Sequence, residues 1–214
     1  MTKETQESSI EVLKKLGFQP IRTAVRQSIA IVDKAKKGLR NIYITDWPRL
    51  NRHLLGGLQP GKLYIIAGRP GTGKSAFSNQ LIFDLLDNAA KLNKKMVVFY
   101  WSFEMPGYQQ IMRSASKDTG KQMSDLYSVD KTLGEQDFQT FIQSVSKYVK
   151  YPVYFQNKPK NVEFIESACE KFTHLHPDVQ ILNLIDHTRL VPGSEDVEMK
   201  RLNSLSKACM RMQA

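Results

Sequence analysis

A chain of 214 residues with 41% hydrophobic and 24% charged residues has the composition of a globular domain, which excludes a disordered or fibrous chain. Its formal net charge of +10 points to a polyanionic partner, with a solvated basic surface as the plainer alternative. No apolar stretch approaches the ~20 residues of a membrane-spanning helix, the polar start Met1–Glu7 is no signal peptide, and Cys169 and Cys209 read as reduced packing residues of a cytoplasmic protein.

In chain order, residues 8–16 suggest a short helix ended by Gly17. Pro20, at a helix N1 position, opens a second helix over Ile21–Lys37, closed by Gly38. Residues 38–62 read as irregular connection, punctuated by Trp47-Pro48, Gly56-Gly57 and Pro60-Gly61. The apolar run Leu63–Ala67 predicts a strand, and Ser75–Asn93 predicts a helix with Phe77, Leu81, Ile82, Leu85, Leu86, Ala89 and Leu92 on one face. Met96–Phe103 predicts a strong strand, followed by helices near 106–117 and 134–149. A shorter strand follows at Pro152–Phe155, then a helix capped by Asn161 and running to about Phe172, then a strand at Ile181–Ile185. Asn183 interrupts that last apolar run and is expected to meet a neighbouring backbone group. Residues 197–213 read as a final helix. Alternating strands and helices from Leu63 onward predict an α/β fold with a mostly parallel sheet flanked by helices. The helical segment 1–40 is expected to be an arm or linker, and 41–214 the α/β domain.

Between that first predicted strand and helix stands Gly68-Arg69-Pro70-Gly71-Thr72-Gly73-Lys74-Ser75, which fits G-x-x-x-x-G-K-[ST] without departure. Phosphate oxygens must be met by several backbone N–H groups at once, which demands backbone angles that glycine tolerates best. The helix behind the loop aims its N-terminal N–H groups and positive dipole end at the same anion. Lys74 is placed to reach the β- and γ-phosphates of a nucleoside triphosphate, and the Ser75 hydroxyl to ligate Mg²⁺. The plainer alternative, a glycine turn with an incidental lysine, does not account for all four specified positions matching between a predicted strand and a predicted helix.

Two acidic residues complete the pattern. Asp186 closes the last predicted strand, where a chain with a phosphate loop holds its Mg²⁺, although a helix cap would use the same residue type. Glu104 closes the second predicted strand, where a carboxylate can orient the attacking water as general base; service in the first turn of a helix is the alternative.

Leu55-Gly56-Gly57-Leu58-Gln59-Pro60-Gly61-Lys62-Leu63, running into Gly68–Ser75, resembles the opening of the RecA-type ATPase core. Ser102-Phe103-Glu104-Met105-Pro106, with Gln109, Gln110 and Arg113, is more specific and resembles the DnaB family of replicative DNA helicases. Ile185-Asp186 with Arg189-Leu190 fits that family's second acidic motif loosely, since His187 stands where an aromatic residue is expected. Gly17-Phe18-Gln19-Pro20-Ile21 resembles the linker that docks on a neighbouring helicase subunit.

This resemblance implies a RecA-like P-loop ATPase core behind a helical linker arm, in a ring-shaped, usually hexameric motor that binds ATP and Mg²⁺ and moves on single-stranded DNA. It also implies primase or a helicase loader as possible partners. Lys74 and Ser75 would hold phosphate and Mg²⁺, Glu104 would activate water, Asp186 would support the metal, and Arg113 would steady the glutamate or the fold nearby. By comparison with the family, the sensor glutamine, arginine finger and main DNA-binding loop are not among these residues. The core is therefore expected to be incomplete at its C-terminal end, with weak or absent turnover in isolation. A finger is worth ~10³–10⁵ in rate. A nucleotide-holding module that joins and regulates full-length rings is the alternative function.

Overall fold

The computed structural model describes residues 11–127, 133–187 and 190–192. The chain divides into two compact units, Met1–Asn41 and Ile42–Ala214. In the first, residues 11–15 are helical, and α1 spans Ile21–Lys36. Pro20 is the residue before that helix, in an extended conformation, and not its first helical position. None of the residues of α1 is buried. Ile21, Val25, Ile29 and Val32, spaced by three or four, form an uncovered apolar stripe.

The second unit is built on a parallel three-stranded sheet of order β2-β1-β3, with β1 at Met96–Ser102, β2 at Val153–Gln156 and β3 at Gln180–Asp186. β1 reads as a continuous apolar run because it is covered on both faces, and six of its seven residues are buried. Ladders on both its edges, Val98 opposite Val153 and Leu182, place β1 at the centre.

One face is covered by α3 (Lys74–Lys91). Its Leu81, Ile82, Leu85, Leu86 and Ala89 cluster with Met96, Val98 and Tyr100, against which Leu182, Leu184 and Phe155 also pack. The other face, with Trp101 and Phe103, packs against Val162 and Ile165 of α7 (Val162–Leu175). Between β1 and β2 the chain forms α4 (Gly107–Thr119), α5 (Met123–Tyr127), α6 (Glu135–Ser146) and a 3-10 turn at Lys147–Lys150. The long helix predicted at 134–149 thus breaks into two pieces, and α5 was not anticipated. The expected irregular stretch 38–62 contains a short helix, α2 (Pro48–His53), and an antiparallel bridge between Tyr43 and Leu58.

Two further expectations are corrected. Leu63–Ala67 is not a strand: it joins no ladder, and Leu63, Tyr64, Ile65 and Ile66 are 37% to 72% exposed. Both edges of β1 are occupied by β2 and β3, and the run takes no place beside β3; apolar character alone supplies no backbone partner. Among the described residues Asn183 is met by side chains and not by backbone, its Oδ1 accepting from Trp101 Nε1 at 3.0 Å and from Cys169 Sγ at 3.3 Å. Cys169 is buried on α7, whereas Cys209 and the helix predicted over 197–213 lie outside the described residues.

Candidate functional site

Gly73 precedes α3 with φ 85°, and Gly71 has φ 79°, both in the left-handed region that side chains with a Cβ rarely enter. These turns fold the loop on itself, with Thr72 Oγ1 donating to the Arg69 carbonyl at 2.8 Å. A Cβ on Gly68 would stand 2.8 Å from that hydroxyl, so the glycine lets the loop close. The loop from Gly68 to Gly73 is exposed. No side chain caps the N-terminus of α3, so its first N–H groups have no side-chain acceptor. Lys74 Nζ curls over the loop and donates to the carbonyls of Gly68 and Arg69, each at 3.0 Å. An anion arriving here meets a lysine held by two loop carbonyls, uncapped N–H groups and the positive end of an 18-residue helix.

α3 runs against the direction of the strands. Its C-terminal half lies beside the start of β1, where Leu86, Ala89, Ala90, Met96 and Val97 line an open hollow of about 570 Å³. Near its N-terminal half, Asn79 Nδ2 donates to Gln110 Oε1 at 2.9 Å, and Gln110 Nε2 donates to Ser102 Oγ at the end of β1, at 3.2 Å. The glycine loop at the start of α3 therefore faces the C-terminal edge of the sheet. That is where Glu104 and Asp186 lie: Ser102 pairs with Asp186 in the ladder, and the N–H groups of Phe103 and Glu104 donate to the Asp186 carbonyl at 2.9 and 3.4 Å.

Glu104 is exposed, and its Oε2 stands 3.6 Å from His187 Nε2, an ion pair whenever that imidazole is protonated. Arg113, expected to steady the glutamate, is exposed on α4 and is felt electrostatically at the Tyr100 hydroxyl. Tyr100 shares a sheet face with Asp186 and is 1% exposed. Its hydroxyl approaches the Asp186 carboxylate without reaching hydrogen-bond geometry, and among the described residues it has no other partner. Burial first, and that carboxylate second, push its pKa far up, so the phenol stays protonated. Sequence reasoning did not single out Asn79 or Tyr100, because an amide in a helix and an aromatic in a strand signal nothing until a partner is placed.

With this geometry in hand, the chain can be set beside known proteins. Residues 44–214 match the model of the family described as DnaB-like helicase C terminal domain. The chain belongs to that family. A probable replicative DNA helicase of Guillardia theta is 25% identical over 190 residues, covering 88% of this chain and 30% of that protein. The replicative DNA helicase DnaB of Buchnera aphidicola from Acyrthosiphon pisum is 44% identical over 104 residues, covering 47% of this chain and 21% of its own length. The chain thus spans about a third or less of these helicases. A solved DnaB-like replicative helicase, described with its interactions with primase, superposes with a TM-score of 0.71 at 16% identity, over 99% of this chain and 56% of that one. A solved ATPase domain superposes with a TM-score of 0.72 at 17% identity, over 92% of this chain and 69% of that domain. The fold of this DnaB-like chain is accordingly that of the RecA-like ATPase domain, a parallel sheet flanked by helices. Among the described residues no helix is long and apolar enough to cross a membrane.

Proposed function

We propose that this chain is the ATP-binding and ATP-hydrolysing core of a DnaB-like replicative helicase, a cytoplasmic motor that works on single-stranded DNA as a ring, expected to be a hexamer. One observation carries the reading. An uncapped helix N-terminus behind a glycine loop faces the same sheet edge as two carboxylates, Glu104 and Asp186. In this reading Gly68–Ser75 wraps the phosphates, and Lys74 leaves the Gly68 and Arg69 carbonyls for the phosphate oxygens. Glu104, exposed at the edge, accepts the proton of the attacking water.

The residues present fit Mg²⁺. A serine hydroxyl at Ser75 and the Asp186 carboxylate are the hard oxygen donors it prefers, and the orphaned Tyr100 hydroxyl beside Asp186 suits a site that takes up water or a cation. When bound, the metal neutralises charge on the transferred phosphoryl group.

Residues 1–40 are proposed as the arm and 41–214 as part of the ATPase domain. The uncovered stripe Ile21–Val25–Ile29–Val32 supports docking of α1 on a neighbouring copy or a full-length homologue. Primase or a helicase loader is the further partner proposed, since the solved relative is described with primase.

The test is Mg²⁺-dependent ATP turnover, with and without single-stranded DNA, using Lys74→Ala as the blank. Lys74→Ala is expected to abolish nucleotide binding without unfolding the chain, as read by ligand titration and circular dichroism. Unchanged affinity in that variant would remove the reading. Tight binding without turnover, even with single-stranded DNA present, would favour a nucleotide-holding module that joins and regulates full-length rings.

A further inference from the structure

A chain of buried hydrogen bonds runs from the phosphate-loop helix to the turn that carries Glu104. Asn79, Gln110 and Ser102 are 5%, 1% and 1% exposed. Ser102 Oγ donates to the Met105 carbonyl at 2.5 Å, closing the turn Ser102–Met105 with Glu104 inside it. With its hydrogen committed there, the hydroxyl is an acceptor toward Gln110, whose Nε2 donates at 3.2 Å. That leaves Gln110 Oε1 to accept from Asn79 Nδ2, so the three groups form a relay with one direction. The start of α4 is held as well, Gly107 N donating to Asn157 Oδ1 at 3.1 Å.

An apolar pair at positions 79 and 110 would fill this space without any need for matched donors and acceptors. A satisfied polar network in a low-dielectric core instead fixes the mutual placement of the elements that it joins. The elements joined here are the helix at whose N-terminus phosphate is proposed to bind and the turn that carries the proposed base. We propose that Gln110 is a positioning residue, holding the Glu104 turn in register with the phosphate-loop helix so that the carboxylate is presented to the terminal phosphate. This rests on the ATPase reading and deepens it. Gln110 is 1% exposed and acts through the turn that carries Glu104.

The test must separate positioning from packing and must not require turnover. The double variant Asn79→Leu with Gln110→Met removes the link, replaces each amide by an apolar side chain of similar shape and leaves no amide unpaired. Binding is measured for Mg²⁺·ADP and for Mg²⁺·ADP with aluminium fluoride, which mimics the phosphoryl group in flight, with circular dichroism as the check on folding. The double variant is expected to keep ADP affinity within about twofold and to lose about tenfold or more toward the fluoride complex, less than the ~10²–10⁴ a positioned base supplies because Glu104 itself remains. Glu104→Ala is expected to show the same selective loss, and adding it to the double variant to cost little more. Wild-type affinity for both ligands, or an equal loss toward both, would overturn the proposal and leave the relay a packing device. Failure of the unaltered chain to bind ADP any better than Lys74→Ala overturns the nucleotide reading itself, and the positioning role with it.

Discussion

At Gly107 the absence of a side chain is a packing requirement. A Cβ built there would lie 2.6 Å from Phe155 Cγ and 2.9 Å from its Cδ2. The Phe155 ring cannot retreat easily, because it lies against Tyr100 with ring centroids 5.1 Å apart, and Tyr100 is buried in the centre of the sheet. Gly107→Ala is therefore expected to destabilise the fold by ~1–3 kcal/mol, the cost typical of overpacking a filled core. Urea unfolding followed by circular dichroism measures it, and a stability equal to wild type would show that the ring yields. The residue scale is also where the sequence was most legible. Gly71 and Gly73 stand at positive φ, as a phosphate loop requires. Gly107, preceded by Pro106 at the start of a predicted helix, carried no such signal: its neighbour Phe155 lies 48 residues away in the chain.

Elements were readable where their causes are local. Asn161 was expected to cap a helix and does, its Oδ1 accepting from Phe164 N at 3.1 Å at the start of α7. Asn161→Ala is expected to cost ~0.5–2 kcal/mol, since it orphans one of the helix's first N–H groups. A urea midpoint lowered by that amount, with the slope unchanged, is the expected result. Asn161→Asp should retain most of the wild-type stability, because the acceptor remains. Elements with remote causes were less readable. Leu63–Ala67 has strand character by composition, yet a strand exists only where a neighbour offers a ladder, and here none does. The sequence also missed the break between α6 and the 3-10 turn, where Tyr148 and Tyr151 turn in to pack against Phe83 of α3, with ring centroids 4.6 and 5.0 Å away.

Across the whole molecule, Asp118 on α4 collects the end of the α6 segment. Lys147 Nζ approaches it at 2.5 Å, Tyr148 Oη donates to it at 2.6 Å and Ser144 Oγ at 3.2 Å. Burial pushes the Asp118 carboxyl up, but the hydrogen bonds from Lys147 and Tyr148 outweigh it, and the net pKa lies below the ordinary value of 3.8. A depressed folded pKa means that this carboxylate adds stability above the unfolded value, and that the contribution is lost as pH falls through the folded value. Asp118→Asn should therefore lower thermal stability at neutral pH and flatten its decline below about pH 4, where the native protein protonates. Melting temperatures of the two proteins from pH 2 to pH 7 would converge at the acid end; a constant gap would show that the charge plays no part. The sequence by itself determined the glycine turn ahead of α3, the capped helix and the buried central strand, because each follows from local backbone chemistry or from a short apolar run. Only the tertiary structure decided that Asn79, Gln110 and Ser102 form one relay, that Tyr100 lies beside Asp186, and that Leu63–Ala67 stays outside the sheet. Hydrogen bonds and ladders are contracts between residues far apart in the chain, and no single stretch of sequence carries both parties.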